Sequence, residues 1–446
     1  MTEHWVVVGA GSGGCVAAAR LTEDSSHKVT LIEAGPDLRE GSVPPAIDGS
    51  DFLAAAEEPG RTYVELSATR VAGTSARTYQ RGRGVGGSST INAMLALRGD
   101  ELQYEQWGWT DTEAAWSAMQ LPEEVAEPAE LGVVDRALLA ASPAAEQVKL
   151  NRRNGKRVTS AEAYLWPLAG ARNLSLRPDT AVDRVLFEDR KAIGVQLANG
   201  ESVAADRVVI AAGAIHTPTI LLRSAIANPG IGQGLQDHPS APFTLSFRDG
   251  VDQLADGLVA GSILQLGDLQ VLPMNHLGRA TPGMGLLLLA LMRPCGITGS
   301  VTLAGSDPAA EPVVKFALLR DGRDLGVLRK GVALVRELLN EAAFDEIVED
   351  VYIDGWGTKL EELGDDVQID RWLLAVSGDY VHASSSCAMG RVVDDRGVVL
   401  GYEGIYVCDA SVFPSIPWVN THLPTTMLAE RLTSMWRVDS SRSSSG

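Results

Sequence analysis

A glycine-rich turn close to the N-terminus constrains the fold of this chain more than any other feature. The segment HWVVVGAGSGG places Gly9, Gly11 and Gly14 after a short apolar run and before the Ala-rich stretch CVAAARL. The apolar run is typical of a buried strand, the Ala-rich stretch of a helix packed closely on a sheet, and KVTLIEAG of a second strand. This order predicts a βαβ unit and with it a parallel, Rossmann-like sheet.

The spacing of these glycines matches the needs of a bound dinucleotide. Gly9 permits a tight turn, Gly11 lets the backbone approach a pyrophosphate, and Gly14 lets the helix pack on the strand. The pyrophosphate then lies at the helix N-terminus, where free N–H groups and the helix dipole favour an anion. Glu33, at the end of the second strand, is placed to bind ribose hydroxyls. A chance glycine turn is the alternative, but the strand, the helix and the acid together favour dinucleotide binding.

The sequence contains one such dinucleotide motif. The segment GIGQGL (230–235) has a different glycine spacing and follows Asn228-Pro229, so it indicates a plain loop. The motif itself does not distinguish NAD from FAD. An enzyme that passes hydride from NAD(P)H to a flavin, however, usually needs two nucleotide sites. We therefore expect the electrons to come from an organic substrate. A second glycine-rich stretch, RGRGVGGSSTINAM (81–94), is either part of this site or a surface loop.

The charge balance argues against nucleic acid as a partner. The 446 residues include 38 basic and 57 acidic side chains, a net charge of −19, whereas phosphate binding needs a basic surface. Ten of the acids lie between Arg98 and Arg136, and twelve lie between Arg336 and Arg371. These segments are either two solvated helical faces, which we favour, or an acidic docking surface.

The cysteines and the apolar runs indicate a cytoplasmic chain without a metal site. The four cysteines form no CxxC pair, so we expect neither a zinc site nor a disulfide scaffold, and the spacing is typical of a reducing compartment. The run GMGLLLLALM (283–292) is too short to span a bilayer and is more typical of a buried strand. The N-terminus shows no signal-peptide pattern. We therefore expect no transmembrane segment.

Six segments, in this order along the chain, resemble the glucose–methanol–choline (GMC) family of flavin oxidoreductases, of which this chain would be a short member. They are VVVGAGSGGCVAAARL with VTLIEAGP, RGRGVGGSSTIN, AAGAIHTPTILLRS with GLQDHP, RPCGITGSVTLAGSDP, VHASSSCAMG, and YVCDASVFPSIPWVNTHLPTTMLAE. The resemblance implies bound FAD and the oxidation of a small-molecule alcohol to an aldehyde or ketone by hydride transfer to flavin N5.

The resemblance also implies an α/β fold in two parts. One is a Rossmann-like FAD-binding domain built from a discontinuous chain. The other is a smaller α+β substrate-binding domain on a mainly antiparallel sheet. We expect FAD-binding segments at 1–110, 151–242 and 376–446, a short helical lid at 111–150, and the substrate-binding domain at 243–375.

Three residues are candidates for the catalytic roles. By resemblance, His382 is the general base, and imidazole suits this role because it titrates near neutral pH. Asn420 matches the position of the family's second polar group, which orients the hydroxyl, and His422 is its competitor for that role. Without the resemblance, His382 is as easily a satisfied core histidine. His238 and His216 are expected to be structural, and Cys387 a small buried residue rather than a nucleophile.

The cofactor contacts implied by the resemblance extend over the whole chain. They are Gly9, Gly11, Ser12, Gly14, Glu33, Ala34, Val85, Gly86, Gly87, Asn92, Ala93, Met94, Val182, Asp409, Ala410 and Thr421. Val182 is expected on the adenine side, and Asn92 to Met94 near the flavin ring. Some family members bind FAD covalently through a histidine at the position of Ile91. Isoleucine has no nucleophile, so we expect non-covalent FAD.

Several departures from the family pattern bear on function. The segment between Arg98 and Asn151 is short, and VHASSSC replaces the commoner HPVGTC. The first departure points to an open or reshaped active-site entrance, as a bulky substrate would require. Two alternatives to alcohol oxidation remain: lyase-type chemistry on the same fold, and a non-catalytic FAD-binding partner that docks through the acidic segments. Oxygen, a quinone or a carrier protein would each serve as the electron acceptor, and no cluster in 243–375 indicates a particular alcohol.

Overall fold

The chain alternates between β-sheets and the helices that cover them. The structure, a computed structural model, describes residues 2–40, 43–251, 253, 257–296 and 299–443. The helices are α1 (Ser12–Thr22), α2 (Pro45–Asp48), α3 (Phe52–Glu57), α4 (Glu101–Gln106), α5 (Thr112–Ala118), α6 (Val133–Ala141), α7 (Ser160–Tyr164), α8 (Gly213–Arg223), α9 (Gly322–Leu339), α10 (Ala342–Asp345), α11 (Asp366–Val376) and α12 (His422–Ser443).

The strands range from two to eight residues in length. They are β1 (Glu3–Val8), β2 (His27–Ile32), β3 (Ser67–Val71), β4 (Arg77–Thr78), β5 (Glu124–Val125), β6 (Ala145–Gln147), β7 (Lys149–Leu150), β8 (Arg152–Arg153), β9 (Lys156–Arg157), β10 (Leu174–Arg177), β11 (Val182–Glu188), β12 (Lys191–Leu197), β13 (Ser202–Ala204), β14 (Arg207–Ile210), β15 (Gln233–Leu235), β16 (Ser240–Phe247), β17 (Ser262–Leu266), β18 (Leu269–Met274), β19 (Met284–Leu291), β20 (Gly299–Thr302), β21 (Val313–Leu318), β22 (Val348–Tyr352) and β23 (Ile405–Val407).

A parallel sheet forms the first centre of the fold. Its strands follow the order β10-β2-β1-β14-β23, and every neighbouring pair is parallel. The strands β1 and β2 and the helix α1 between them form a βαβ unit. The prediction of this unit is therefore confirmed. The runs WVVV and VVI are buried, as expected for central strands of a parallel sheet covered on both faces. The helices α1 and α12 pack against each other beside this sheet.

An antiparallel sheet forms the second centre. Its strands follow the order β22-β16-β19-β18-β17-β6. The run 283–292 forms β19, so its prediction as a strand is confirmed. Side chains alternate along it: Leu287 and Leu289 belong to the core under α9, whereas Leu286 and Leu288 belong to apolar clusters on the other face. This second face becomes important below, because it looks into a cavity.

The chain crosses between these two sheets several times. A mixed sheet of order β15-β20-β21-β3-β4 pairs β3, from the N-terminal quarter, in parallel with β21. The strand β6 adds an edge to the antiparallel sheet. The predicted α/β fold in two parts is confirmed, whereas the exact domain boundaries stay predictions.

The segment 111–150, where we expect a short helical lid, contains the helices α5 and α6 together with the short strands β5, β6 and β7. Among the residues that the structure describes, no helix combines the length and the apolar character that crossing a bilayer requires.

Candidate active site

A cavity of about 630 Å³ lies between the parallel sheet and the antiparallel sheet. Most of the residues proposed from sequence line it. They are Gly9, Gly11, Ser12, Glu33, Ala34, Gly87, Asn92, Ala93, Met94, Val182, His382, Asp409, Ala410, Asn420, Thr421 and His422. Gly14, Val85 and Gly86 do not line the cavity but lie behind it. Segments more than 400 residues apart therefore meet in one site.

The first glycine turn shapes one end of the cavity. Gly9 has a φ of +97°, a left-handed conformation that side chains with a Cβ rarely adopt. A Cβ on Gly14 would lie 1.8 Å from the carbonyl oxygen of Gly9, so α1 packs against the turn only because this residue is glycine. A Cβ on Gly11, by contrast, would have no protein atom nearer than Gly87 Cα at 4.0 Å. The turn thus presents open backbone to the cavity at Gly11, at the start of α1.

The second glycine-rich stretch is clamped onto the first and is not a surface loop. The Gly86 N–H donates to the carbonyl of Ala10 (2.8 Å), and the Gly84 N–H donates to the carboxylate of Glu33 (3.0 Å). Gly86 and Gly87 both have positive φ values, +101° and +53°. Val85 and Gly86 therefore support the cradle from behind, and Gly87 forms part of its wall.

Glu33 is a buried carboxylate held by backbone donors. Its Oε2 accepts the Ala10 N–H (2.8 Å), and its Oε1 accepts those of Gly35 (2.9 Å) and Gly84 (3.0 Å). Each carboxylate oxygen can accept two hydrogen bonds, so Oε2 keeps one acceptor position free. A ribose hydroxyl is the donor that this position fits.

Asp409 holds together the cavity wall that faces the first glycine turn. Its carboxylate accepts hydrogen bonds from the Gly213 N–H (2.9 Å), the Ser411 N–H (2.8 Å) and the Thr217 hydroxyl (2.5 Å). Burial raises the pKa of Asp409, and the hydrogen bonds oppose this shift. Since these bonds join the residues after β14 to those after β23, Asp409 aligns the ends of two neighbouring strands at the cavity.

His382, at the other end, is linked to a second histidine. The Nδ1 atoms of His382 and His238 lie 2.9 Å apart, and the Nε2 of His238 lies 2.9 Å from the carbonyl oxygen of Pro417. A carbonyl only accepts hydrogen bonds, so His238 carries its proton on Nε2. Its Nδ1 then has a lone pair and accepts the Nδ1–H of His382. The Nε2 of His382 is left without a proton, as a base requires.

Both imidazoles are neutral at ordinary pH. Burial lowers the pKa of His238 to about 3. Burial, followed by the proximity of His238 and Arg81, lowers the pKa of His382 well below its usual value. The expectation that His238 is structural therefore needs one addition: it is buried, and its ring also sets the tautomer of His382.

Asp237 holds the turn that carries His382. Its carboxylate accepts the backbone N–H groups of His382 (3.0 Å) and Tyr380 (3.1 Å) and the hydroxyl of Tyr79 (2.7 Å). Burial raises the pKa of this carboxyl group. Asp237, His238 and His382 are close enough to resemble a metal site. However, the hydrogen bonds above already use the atoms that would bind a metal ion, so the donors do not fit one.

His422 lies at the start of α12 and also faces the cavity. Its Nδ1 lies 3.1 Å from the hydroxyl oxygen of Ser12, and its buried Nε2 has no hydrogen-bond partner among the described residues. Burial, and after it the nearby Arg157 guanidinium, lowers the pKa of His422 to about 4. A buried polar atom without a partner is costly, about 1–3 kcal/mol, so this nitrogen is suited to a ligand.

Asn420 has a weaker link to the protein. Its Oδ1 accepts a long hydrogen bond, 3.4 Å, from Nε2 of Gln270 on β18. Asn420 lines the cavity beside His422, so the structure brings both candidates for the second polar role into the site.

Sequence reasoning missed one buried cation near the site. Arg157 donates to the carbonyl oxygens of Ile47 (3.0 Å) and Asn92 (2.6 Å) and to the side-chain oxygen of Asn92 (2.8 Å). Burial lowers its pKa to about 9. Its guanidinium thus holds Asn92 in place on the cavity wall. No sequence signal distinguished this arginine from its neighbours in NRRNGKR.

Comparison with known families agrees with this geometry. The two models of the GMC oxidoreductase family match residues 4–137 and 142–240 for the N-terminal part and residues 297–429 for the C-terminal part. Together these matches cover most of the chain. The chain belongs to the GMC oxidoreductase family. The resemblance of the six sequence segments is therefore confirmed.

Individual relatives of this GMC oxidoreductase include alcohol-oxidising enzymes. It is 28% identical to the 5-(hydroxymethyl)furfural oxidase of Methylovorus sp. (strain MP688), over 96% of this chain and 97% of that protein. It is 28% identical to the mitochondrial choline dehydrogenase of Homo sapiens, over 96% and 88%. Its fold matches that of pyridoxine 4-oxidase from Mesorbium loti with a TM-score of 0.88 at 23% identity, over 98% and 99%.

The cavity fits the FAD of this family. The open backbone at Gly11, the free acceptor position on Glu33 and the wall at Val182 suit a long dinucleotide. The flavin ring would then reach the end lined by His382 and Asn420.

Proposed function

We propose that this chain is an FAD-dependent oxidoreductase that oxidises the CH–OH group of a small-molecule alcohol to an aldehyde or ketone. The cofactor is FAD. When bound, FAD supplies the hydride acceptor, its N5 atom. One observation carries the proposal: the dinucleotide cradle continues into an end where the hydrogen bonds of His238 leave Nε2 of His382 without a proton.

His382 is the general base of this proposal. Loss of a hydride from the alcohol carbon is easier when the hydroxyl proton leaves as well, and Nε2 of His382 is free to accept that proton. Once protonated, the ring keeps its Nδ1–H bonded to His238, so the ring does not need to turn during the reaction. The Asp237 clamp on the backbone of His382 keeps this ring in place.

His422 and Asn420 orient the hydroxyl. We propose Asn420 as the primary partner, because its side chain makes one long contact, 3.4 Å to Gln270 on the antiparallel-sheet side of the cavity, whereas the Nε2 of His422 is enclosed and its Nδ1 lies 3.1 Å from Ser12 at the glycine turn. This order is the one favoured by the sequence motif. Replacement of Asn420 by Ala should then slow the oxidation more than replacement of His422 by Ala, at equal FAD content.

The remaining residues proposed for cofactor binding hold the parts of FAD in place. Glu33 binds ribose, Val182 faces the adenine, and Asn92 to Met94 lie near the ring, with Arg157 holding Asn92. Ile91 lies in an apolar cluster with Leu38, Ile47 and Ala55 and offers no nucleophile, so we propose that FAD is held without a covalent bond. Acid precipitation should release all of the flavin into the supernatant, and flavin that stays with the precipitate would contradict this.

An anaerobic titration of the FAD-loaded protein with a panel of alcohols tests the function. Bleaching of the visible flavin absorption, with formation of the matching aldehyde or ketone, is the expected result. A bound flavin that no alcohol bleaches would contradict alcohol oxidation and would favour lyase-type chemistry or a binding role. The variant His4→Ala is a matched control, because the ring of this histidine contacts the Thr30 hydroxyl and does not line the cavity.

A further inference from the structure

The end of the cavity around His382 is apolar on the side of the antiparallel sheet. Leu272 and Met274 of β18 and Leu288 of β19 project from the sheet face that looks into the cavity, and Leu272 is the cross-strand partner of Leu288. Met94 and Phe52 complete this wall. Side chains of this kind favour contact with an apolar group, because the contact removes both surfaces from water.

Every acid on the cavity wall already has partners elsewhere. Glu33 and Asp409 bind backbone N–H groups at the dinucleotide end. Asp379 pairs with Arg70 at 2.5 Å, and Glu311 pairs with His216 at 2.8 Å. Within the described part of the chain, therefore, no unpaired carboxylate faces the apolar wall.

Arg81 places a positive charge beside His382 on the cavity wall. Arg81 lines the cavity, donates to the carbonyl of Val381, and lies over the ring of Tyr79 at 6.0 Å from its centroid. No carboxylate lies within ion-pair distance of it among the residues that the structure describes. A positively charged substrate would thus meet a like charge at the point where its hydroxyl must reach His382.

We propose that this site selects uncharged alcohols with an apolar body and rejects quaternary ammonium alcohols, of which choline is the simplest. The inference rests on the proposed function, since it names the alcohol that the site accepts. A quaternary ammonium group loses its hydration on burial and needs a carboxylate or an aromatic cage in exchange. The wall formed by Leu272, Met274 and Leu288 offers no carboxylate, and the single ring of Phe52 that completes it does not make a cage. The relative named choline dehydrogenase therefore differs from this chain in substrate.

A pair of isosteric alcohols tests this inference. Choline and 3,3-dimethylbutan-1-ol have the same shape and differ in one charge. Binding is followed by the perturbation of the flavin spectrum, and oxidation by its bleaching, both without oxygen. The neutral alcohol should bind at least about 100-fold more tightly than choline. Equal binding, tighter binding of choline, or no binding of the neutral alcohol would overturn the inference.

The two readouts separate this inference from the proposed function. Preferential binding of the neutral alcohol without bleaching would support the selectivity and overturn alcohol oxidation. Bleaching by choline alone would support oxidation and overturn the selectivity.

A variant pair tests the structural cause. Leu288→Glu places a carboxylate on the apolar wall, and Leu288→Gln introduces a side chain of nearly the same volume without the charge. Choline binding should improve by at least about tenfold in Leu288→Glu relative to Leu288→Gln, because the new carboxylate pairs with the ammonium group. Equal choline binding by the two variants would show that the absence of a carboxylate is not the cause.

Discussion

The link between His238 and His382 gives the sharpest prediction of this structure. The variant His238→Leu fills a similar volume with an apolar side chain and removes both hydrogen bonds of the ring. The carbonyl of Pro417 and the Nδ1–H of His382, each at 2.9 Å from His238, are then left without a partner. Each buried, unpaired group costs about 1–3 kcal/mol, so the free energy of unfolding should fall by about 2–6 kcal/mol.

The effect on the reaction has a different origin. Without an acceptor for Nδ1–H, the ring of His382 is free to turn and to carry its proton on Nε2, where it cannot act as a base. Loss of such a positioning contact should lower the rate constant of flavin reduction by about 10–100-fold. The variant His238→Asn is the matched control, because its side-chain oxygen lies near the position of Nδ1 and can accept the bond from His382.

The assay compares wild type and both variants at equal FAD content in an anaerobic stopped-flow experiment. His238→Asn should recover most of the rate that His238→Leu loses, although neither variant restores the bond to Pro417. A wild-type rate in His238→Leu would refute the assignment of the tautomer. Equal losses in both variants would show that His238 only supports the fold.

Three further predictions follow from the same structure. Gly14→Ala should destabilise the fold and abolish FAD binding, because its Cβ would lie 1.8 Å from the Gly9 carbonyl oxygen. Gly11→Ala should weaken FAD binding alone and leave thermal unfolding of the FAD-free protein unchanged. Equal behaviour of the two variants would contradict the different roles assigned to these glycines. The rate constant of flavin reduction should stay constant above pH 6.5 and fall only in acid, since the pKa of His382 lies well below that value. Thermal stability should fall from pH 6.5 towards pH 4, because His238 and His422 stay unprotonated when folded but take up protons when unfolded, at a cost of roughly 3 kcal/mol for His422 alone; a stability independent of pH in this range would contradict both shifts.

The sequence predicted the βαβ unit at the dinucleotide end because the constraints on this unit are local. A glycine at position 9 or 14 is needed by the backbone within one turn, and the pattern of apolar residues around it is short and regular. The motif therefore carries its own structural context, and the βαβ unit follows from it.

The rest of the site depends on contacts between distant segments. His238 and His382 are separated by 144 positions, and nothing near LQDHP indicates which ring it will contact. The same holds for Arg157, which reaches Asn92 across the fold. The order of Asn420 and His422 depends on which side-chain atoms stay accessible from the cavity, a property of the packed structure alone.

The domain organisation likewise depends on contacts between segments that are distant in sequence. Strand β3 lies in the N-terminal part of the chain, yet it pairs with β21 in a sheet shared with residues 299–318. Linear boundaries cannot describe such a crossing, because the strand pairing is decided by the meeting of distant segments.

The most direct test of the account is anaerobic reduction of the flavin in wild type and in His382→Asn. This variant keeps a side-chain N–H that can donate to His238 but has no base at the position of Nε2. We predict that an uncharged alcohol bleaches the wild-type flavin completely, with one carbonyl product for each FAD, and that the variant with bound FAD reacts at least about 100-fold more slowly. A variant that reacts at the wild-type rate, or a wild-type flavin that no alcohol reduces, would contradict the assignment of His382 as the base of an alcohol-oxidising site.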